Sequence, residues 1–255
     1  MIGGEGGEDQ PMTAKNIIKQ LLSALMVGAC LASGGVFAQT LPLPPTLIAF
    51  DSPSGEELFL SSHSRADFWD LSIQFLTQLN QAYCGVASMV MVLNALKVPA
   101  PEAAQYAPYH VLTQENFFAN EATRQVLNPE VVARDGMTLD QLGHLLASYS
   151  VGIKVYHSAD TSLDEFRRLV AENLRQPDNF VLVNYLRAAI DQEKGGHISP
   201  IAAYHEQTDQ LLILDVARYK YPPVWVKAEA LWQAMATVDS VSGKTRGFVL
   251  VSRTP

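Results

Sequence analysis

A cysteine at the end of a polar run is the first residue in this sequence with chemistry to offer. Gln78-Leu79-Asn80-Gln81-Ala82-Tyr83-Cys84 leads into Gly85-Val86-Ala87-Ser88 and then the apolar Met89-Val90-Met91-Val92-Leu93-Asn94-Ala95-Leu96. The pattern predicts a loop that delivers Cys84 to the first turn of a buried helix running to Leu96. Unpaired N–H groups and the helix dipole favour negative charge at such a position. The thiolate is the nucleophilic form of cysteine, so the placement favours reactivity. The bland alternative is a buried, inert cysteine packed as a small hydrophobe.

A cysteine nucleophile needs a base, and histidine is the usual one. The chain has 6 histidines. His63 and His110 fall in polar loops, His144 on a helix, His157 at a strand end and His205 at an exposed hairpin turn. His197 differs, because it follows Glu193-Lys194-Gly195-Gly196 and opens an apolar strand. Gly196 lets backbone approach a ligand closely, which suits a side chain at a cleft edge. The strand returning from the hairpin ends at Asp215, within about three residues of lying opposite His197 if the turn is near Gln207. A carboxylate closing an apolar strand is costly without a partner. Paired with His197 it would orient the ring and stabilise the imidazolium. Gln78, six residues before the cysteine, could donate its amide to an oxyanion together with the Cys84 N–H, with Asn80 and Gln81 as competitors. No close Cys/His spacing suits structural zinc, and no Gly-rich loop precedes a helix to hold phosphate.

The elements that must position these residues are helical first and extended later. After an extended, Pro-rich Gln39–Pro53, helices are expected over 66–76, 84–96, from Pro101, and over 113–126. Thr138 and Ser162 open capping boxes for helices to about Tyr149 and Leu174. Strands are expected over 151–156, 179–186, 197–205, 211–216 and 247–252, with a short helix over 228–235. Segregated helices and antiparallel strands make an α+β domain, whose groove between the two parts is the natural site.

Bulk properties narrow the partners. Hydrophobic residues are 48% and charged residues 17% of the 255, so a packed core is expected. The net charge of −8 argues against nucleic acid or an anionic lipid surface as the main partner. Residues 1–38 read as an N-terminal extension and export signal. Lys15 and Lys19 precede the apolar 21–31, and Val36-Phe37-Ala38 meets the small-residue cleavage rule. The domain is then 39–255, exported and expected in the periplasm. A lipoprotein tether at Cys30 is the lesser alternative. Either way Cys84 has no disulfide partner, and an odd cysteine in an oxidising compartment is flagged as reactive.

Three stretches resemble the phytochelatin synthase family: Asn80-Gln81-Ala82-Tyr83-Cys84-Gly85-Val86-Ala87-Ser88, Gly195-Gly196-His197-Ile198-Ser199-Pro200, and Asp215-Val216-Ala217-Arg218-Tyr219-Lys220-Tyr221-Pro222-Pro223. The resemblance runs from about Leu41 to Arg253, in the layout of the short bacterial and cyanobacterial members. It implies a papain-like fold, with Cys84 as nucleophile, His197 as base, Asp215 as orienter and Gln78 in the oxyanion hole. It implies cleavage of the Cys–Gly bond of glutathione, release of glycine, and a γ-glutamylcysteinyl thioester on Cys84. Water would then yield γ-glutamylcysteine, and a second glutathione would yield phytochelatin. The family uses cadmium or zinc thiolates of glutathione as acceptors and needs no built-in cofactor. The short members act mainly as glutathione hydrolases, and a homodimer is expected from relatives alone. For the γ-glutamyl end, Arg246 is the candidate to fork onto the α-carboxylate and Asp239 to meet the amine. The competing classes are a periplasmic binding protein that grips metal or metal–glutathione without turnover, and a papain-like peptidase on other peptides.

Overall fold

Seven strands form one antiparallel sheet in the computed structural model, which describes Gly3 and residues 40–254. They are β1 (Ile48–Ala49), β2 (Gly152–His157), β3 (Asn179–Leu186), β4 (Gly196–His205), β5 (Gln210–Ile213), β6 (Val224–Lys227) and β7 (Gly247–Ser252). Their order across the sheet is β1-β6-β5-β4-β3-β7-β2. The period of two along β3 builds two apolar layers. Phe180 and Leu182 face one, while Val181, Val183 and Tyr185 face the other. The export signal expected over 1–38, with Cys30, lies outside the described residues apart from Gly3.

Among the described residues six helices precede β2: α1 (Pro53–Ser61), α2 (Phe68–Ile73), α3 (Cys84–Ala95), α4 (Glu121–Val126), α5 (Pro129–Asp135) and α6 (Leu139–Ala147). Residues of α1, α2, α3, α5 and α6 pack on the Phe180 face of the sheet. α7 (Leu163–Asn173) and α8 (Ala228–Met235) cover the other face through Phe166, Val170, Leu231 and Met235. The result is the expected α+β arrangement, with α3 buried nearly all round.

The local signals explain where elements start. Thr138 and Gln141 form a reciprocal capping box at α6. At α7 only half of the expected box forms: Ser162 accepts from the Glu165 N–H, while the Glu165 carboxylate turns to Arg168 at 2.7 Å. The single helix expected over 113–126 is instead a 3-10 turn, Phe117–Ala119, followed by α4. Thr113 and Asn116 exchange side-chain bonds with each other's backbone N–H, and Asn120 then caps a fresh start. Such side chains compete with helix propagation. From Pro101 only a 3-10 turn forms, Ala104–Tyr106, and the helix expected over 66–76 is trimmed to α2. The sequence reading passed over α1, α5, β1 and β6. Asn128 and Pro129 are nonetheless a ready cap and first-turn pair for α5.

The hairpin determines the site. β4 and β5 pair Tyr204 with Leu211 and Ile201 with Ile213, with a bulge between Ile201 and Ala203. Pro200 lacks an N–H but accepts from Leu214 at 3.0 Å, beyond the end of β5. That continuation leaves Asp215 beside Ser199, two residues from His197. His205 is not exposed as expected: it is 6% accessible, with Nδ1 2.7 Å from Thr208 Oγ1.

Candidate active site

Cys84 is the first residue of α3, so no earlier turn of the helix uses its N–H. The approach is shaped by Asn80, whose carbonyl accepts from Tyr83 N–H and whose side chain accepts from Ala82 N–H. The buried Ser88 hydroxyl bridges the Cys84 carbonyl (2.8 Å) and the Ile198 carbonyl (3.1 Å). That bridge joins the start of α3 to the strand residue beside His197.

The structure brings Cys84, His197 and Asp215 together. The His197 ring and the Ile198 N–H are near enough to the thiol to favour its ionised form. His197 Nε2 lies 2.9 Å from Asp215 Oδ1 and 2.9 Å from Ser199 Oγ. Burial alone would push the Cys84 thiol up. The hydrogen bond and positive charge of His197, the Ile198 N–H and the Arg187 guanidinium outweigh it and hold the thiol below its ordinary value. Burial would likewise depress His197, but the Asp215 carboxylate keeps its ring above the usual imidazole range. Together these shifts favour a thiolate beside an imidazolium.

Asp215 is fully buried, and its charge is met on several sides. Oδ1 accepts from Arg187 Nη2 and from the Ala217 N–H, each at 2.8 Å, and Oδ2 lies 2.8 Å from Arg187 Nη1. Burial opposes the charge, yet His197 and Arg187 hold the carboxyl well below the usual range. Arg187 is 3% accessible and sits over the Tyr221 ring. Tyr185, opposite His197 across β3 and β4, meets the imidazole edge to face.

Sequence reasoning overlooked Arg187, Ser199 and Tyr185. Ser199 was readable, because it shares the face of His197 by strand parity. Arg187 closes β3 as Asp215 closes its own strand, and the same cost of an unpartnered buried charge could have drawn attention to it.

Gln78 is buried near this site, and its backbone N–H donates to Val216. Its amide nitrogen donates to the Asn80 carbonyl at 2.7 Å and to Tyr219 Oη at 3.2 Å, while its carbonyl oxygen has no partner among the described residues.

A cavity of about 440 Å³ opens at Cys84 and His197, with Gln141, Asn184, Gly196, Asp239 and Arg246 in its wall. Arg246 Nη1 donates to Asp239 Oδ2 at 3.1 Å and to Asn184 Oδ1 at 3.2 Å, and its buried Nε has no acceptor among the described residues. A Cβ at Gly196 would stand 3.1 Å from Arg246 Nη1 and press on the guanidinium. The cavity thus offers a nucleophile at one place and a guanidinium with an unused donor beside a carboxylate at another. That pairing suits an acyl group ending in a free amino acid. Among the described residues no group of three or more His, Cys, Asp or Glu is arranged to hold a metal ion.

Residues 38–248 match the family described as phytochelatin synthase. The chain is 36% identical over 227 residues to glutathione gamma-glutamylcysteinyltransferase 1 of Lotus japonicus, covering 88% of this chain and 44% of that protein. It is 34% identical to glutathione gamma-glutamylcysteinyltransferase 1 of Arabidopsis thaliana, covering 88% and 45%. It is 31% identical to the glutathione gamma-glutamylcysteinyltransferase of Schizosaccharomyces pombe, covering 82% and 50%. The chain therefore spans about half the length of the curated relatives it matches.

Proposed function

This chain belongs to the phytochelatin synthase family, and from that premise we propose that it is a papain-like acyltransferase that cleaves the Cys–Gly amide of glutathione. The observation that carries the reading is the group Cys84, His197 and Asp215 at the mouth of a cavity holding Arg246 and Asp239. Arg246 takes the α-carboxylate of the γ-glutamyl end and Asp239 its ammonium, with Gly196 leaving room for close approach.

The Cys84 thiolate attacks the cysteinyl carbonyl. The oxyanion is met by the Cys84 N–H and by Gln78, whose longer bond to Tyr219 gives way to a charged acceptor. The tetrahedral intermediate collapses as His197 gives its proton to the leaving nitrogen, and glycine departs. Asp215, anchored by Arg187, keeps the ring in register while its charge alternates. The thioester is resolved when His197 removes a proton from water, giving γ-glutamylcysteine, or from the amine of a second glutathione, giving phytochelatin. A cadmium or zinc thiolate of glutathione enters as acceptor substrate. Hydrolysis is the dominant outcome in this reading, and the protein works after export.

Glycine release from glutathione by the wild type and by Cys84→Ala tests the proposal. The expected result is release by the wild type, none by the variant, and a mass increment of one γ-glutamylcysteinyl group on Cys84 in quenched reactions. Cadmium binding without glycine release would instead establish a binding protein. Turnover of casein in preference to glutathione would establish a general peptidase. Product ratios with and without cadmium separate hydrolase from synthase.

A further inference from the structure

The wall of the cavity that bears Arg246 is fastened from behind by a histidine with no part in the reaction above. β2 ends at His157, which is buried. Its Nδ1 lies 2.5 Å from the Thr245 carbonyl oxygen and its Nε2 2.8 Å from Asp140 Oδ1. The Lys244 ammonium, then the His157 ring, hold the Asp140 carboxyl below its usual range, so it is an acceptor. Each ring nitrogen thus faces an oxygen, one on the strand-end loop and one on the helix. Asp140 Oδ2 also takes Lys244 Nζ at 2.8 Å. The backbone completes the attachment: Ser158 N–H donates to the Arg246 carbonyl at 3.0 Å and Ala159 N–H to Thr245 Oγ1 at 3.1 Å.

These bonds join two pieces of the cavity wall. Residues 244–246 carry the guanidinium. Asp140 lies in the first turn of α6, whose Thr138 and Gln141 also line the cavity. Arg246's own side-chain bonds, at 3.1 and 3.2 Å, are long for a guanidinium, and its Nε is unused. Its position therefore depends on where its backbone is held. We propose that His157 is a positioning residue for substrate recognition. It ties the Arg246 segment to the start of α6 and sets the guanidinium where the substrate's α-carboxylate arrives. The inference rests on the glutathione reading above, and it assigns to His157 a role in KM rather than in the chemical step.

The test is a double-substitution cycle on glycine release from glutathione. His157→Gln, whose amide cannot reach both partners as the ring does, is expected to raise KM roughly tenfold while kcat stays within about twofold. On an Arg246→Ala background the same change should leave KM where Arg246→Ala alone puts it, because the two act through one contact. A purely structural role would multiply the two effects, and that result overturns the inference. So does an unaltered KM, or a loss confined to kcat. If thermal melting shows that His157→Gln does not fold, Asp140→Leu cuts the same tie from a half-exposed position and is read by the same cycle. A wild type that turns over glutathione but fails these criteria defeats this inference alone. A wild type that releases no glycine defeats the functional reading and this inference with it.

Discussion

Asp215 and Asp67 are 0% and 1% exposed, yet the protein holds them in opposite charge states. Asp215 Oδ1 accepts from Arg187 Nη2 and the Ala217 N–H, the carboxylate forms ion pairs with Arg187 and His197, and it is held well below the ordinary carboxyl range. Asp67 occupies the position just before α2 but makes no cap bond, and neither of its oxygens has a hydrogen-bond partner among the described residues. Burial, then the negative charges of Asp70 and Asp178, push its pKa up to about 9. Depth is the same in both places. The partners alone decide whether the carboxyl is a charge or a neutral acid. At the candidate site the charge favours a protonated His197, which in turn favours an ionised Cys84.

The largest effect should come from breaking the paired side. Asp215→Asn leaves the ring without its carboxylate and Arg187 without a counter-charge. A loss in kcat of roughly 10³–10⁴-fold is expected for glycine release. A stability loss of about 3 kcal/mol in denaturant melts should accompany it. Full activity in this variant would remove Asp215 from the mechanism.

Arg187→Met tests whether the guanidinium contributes beyond the His197 contact. Arg187 is among the groups lowering the thiol's pKa. Its loss should therefore shift the pH profile of iodoacetamide alkylation of Cys84 upward. In the wild type, alkylation should persist below the pH at which an ordinary thiol protonates, and fall only as pH drops through the depressed value. Superimposable profiles for the two proteins would confine Arg187 to a structural role.

The unpaired side gives an effect of opposite sign on stability. A group whose pKa is raised on folding contributes most below its unfolded value, and that contribution is lost as pH rises through the folded one. For Asp67 the window runs from 3.8 to about 9. Within it, stability should decline by up to about 1.4 kcal/mol per pH unit. Asp67→Asn should flatten that decline in melts taken across the window. Asp215, shifted downward, contributes above its unfolded value and is lost on acidification. Asp67→Asn should therefore leave the acid limb of the stability curve in place. An unchanged slope between the two limits would show that Asp67 has a partner in solution.

Ser199→Ala is the mildest change, removing a hydroxyl that shares Nε2 of His197 with Asp215. It should lower kcat by no more than about tenfold.

The contrast between the aspartates also shows how far the sequence could be read. Asp215 stood out because it ends a run of apolar strand residues, where an unpartnered carboxylate is costly. Asp67 falls at the start of the segment 66–76 that reads as an amphipathic helix, where an acid is ordinary, and nothing local reveals that no donor among the described residues reaches it. The strong strands β3 and β7, the capping box at α6 and the helix start at Cys84 are local in origin, and local pattern sufficed for them. The helix expected over 113–126 failed because Thr113, Asn116 and Asn120 offered the backbone other partners.

From the sequence alone came the α+β layout, the candidates Cys84, His197 and Asp215, and the choice of Arg246 and Asp239 as substrate contacts. Their chemistry is intrinsic to residue type, and the placing of Cys84, His197 and Asp215 follows from helix and strand patterns. Tertiary structure alone decided that Asp215 shares its charge with Arg187, that Asp67 has no side-chain hydrogen-bond partner among the described residues, and that His157 reaches both Thr245 and Asp140. Each of these depends on groups far apart in the chain meeting in a low-dielectric interior. There the energy of a charge is set by its neighbours in space, which sequence order does not record.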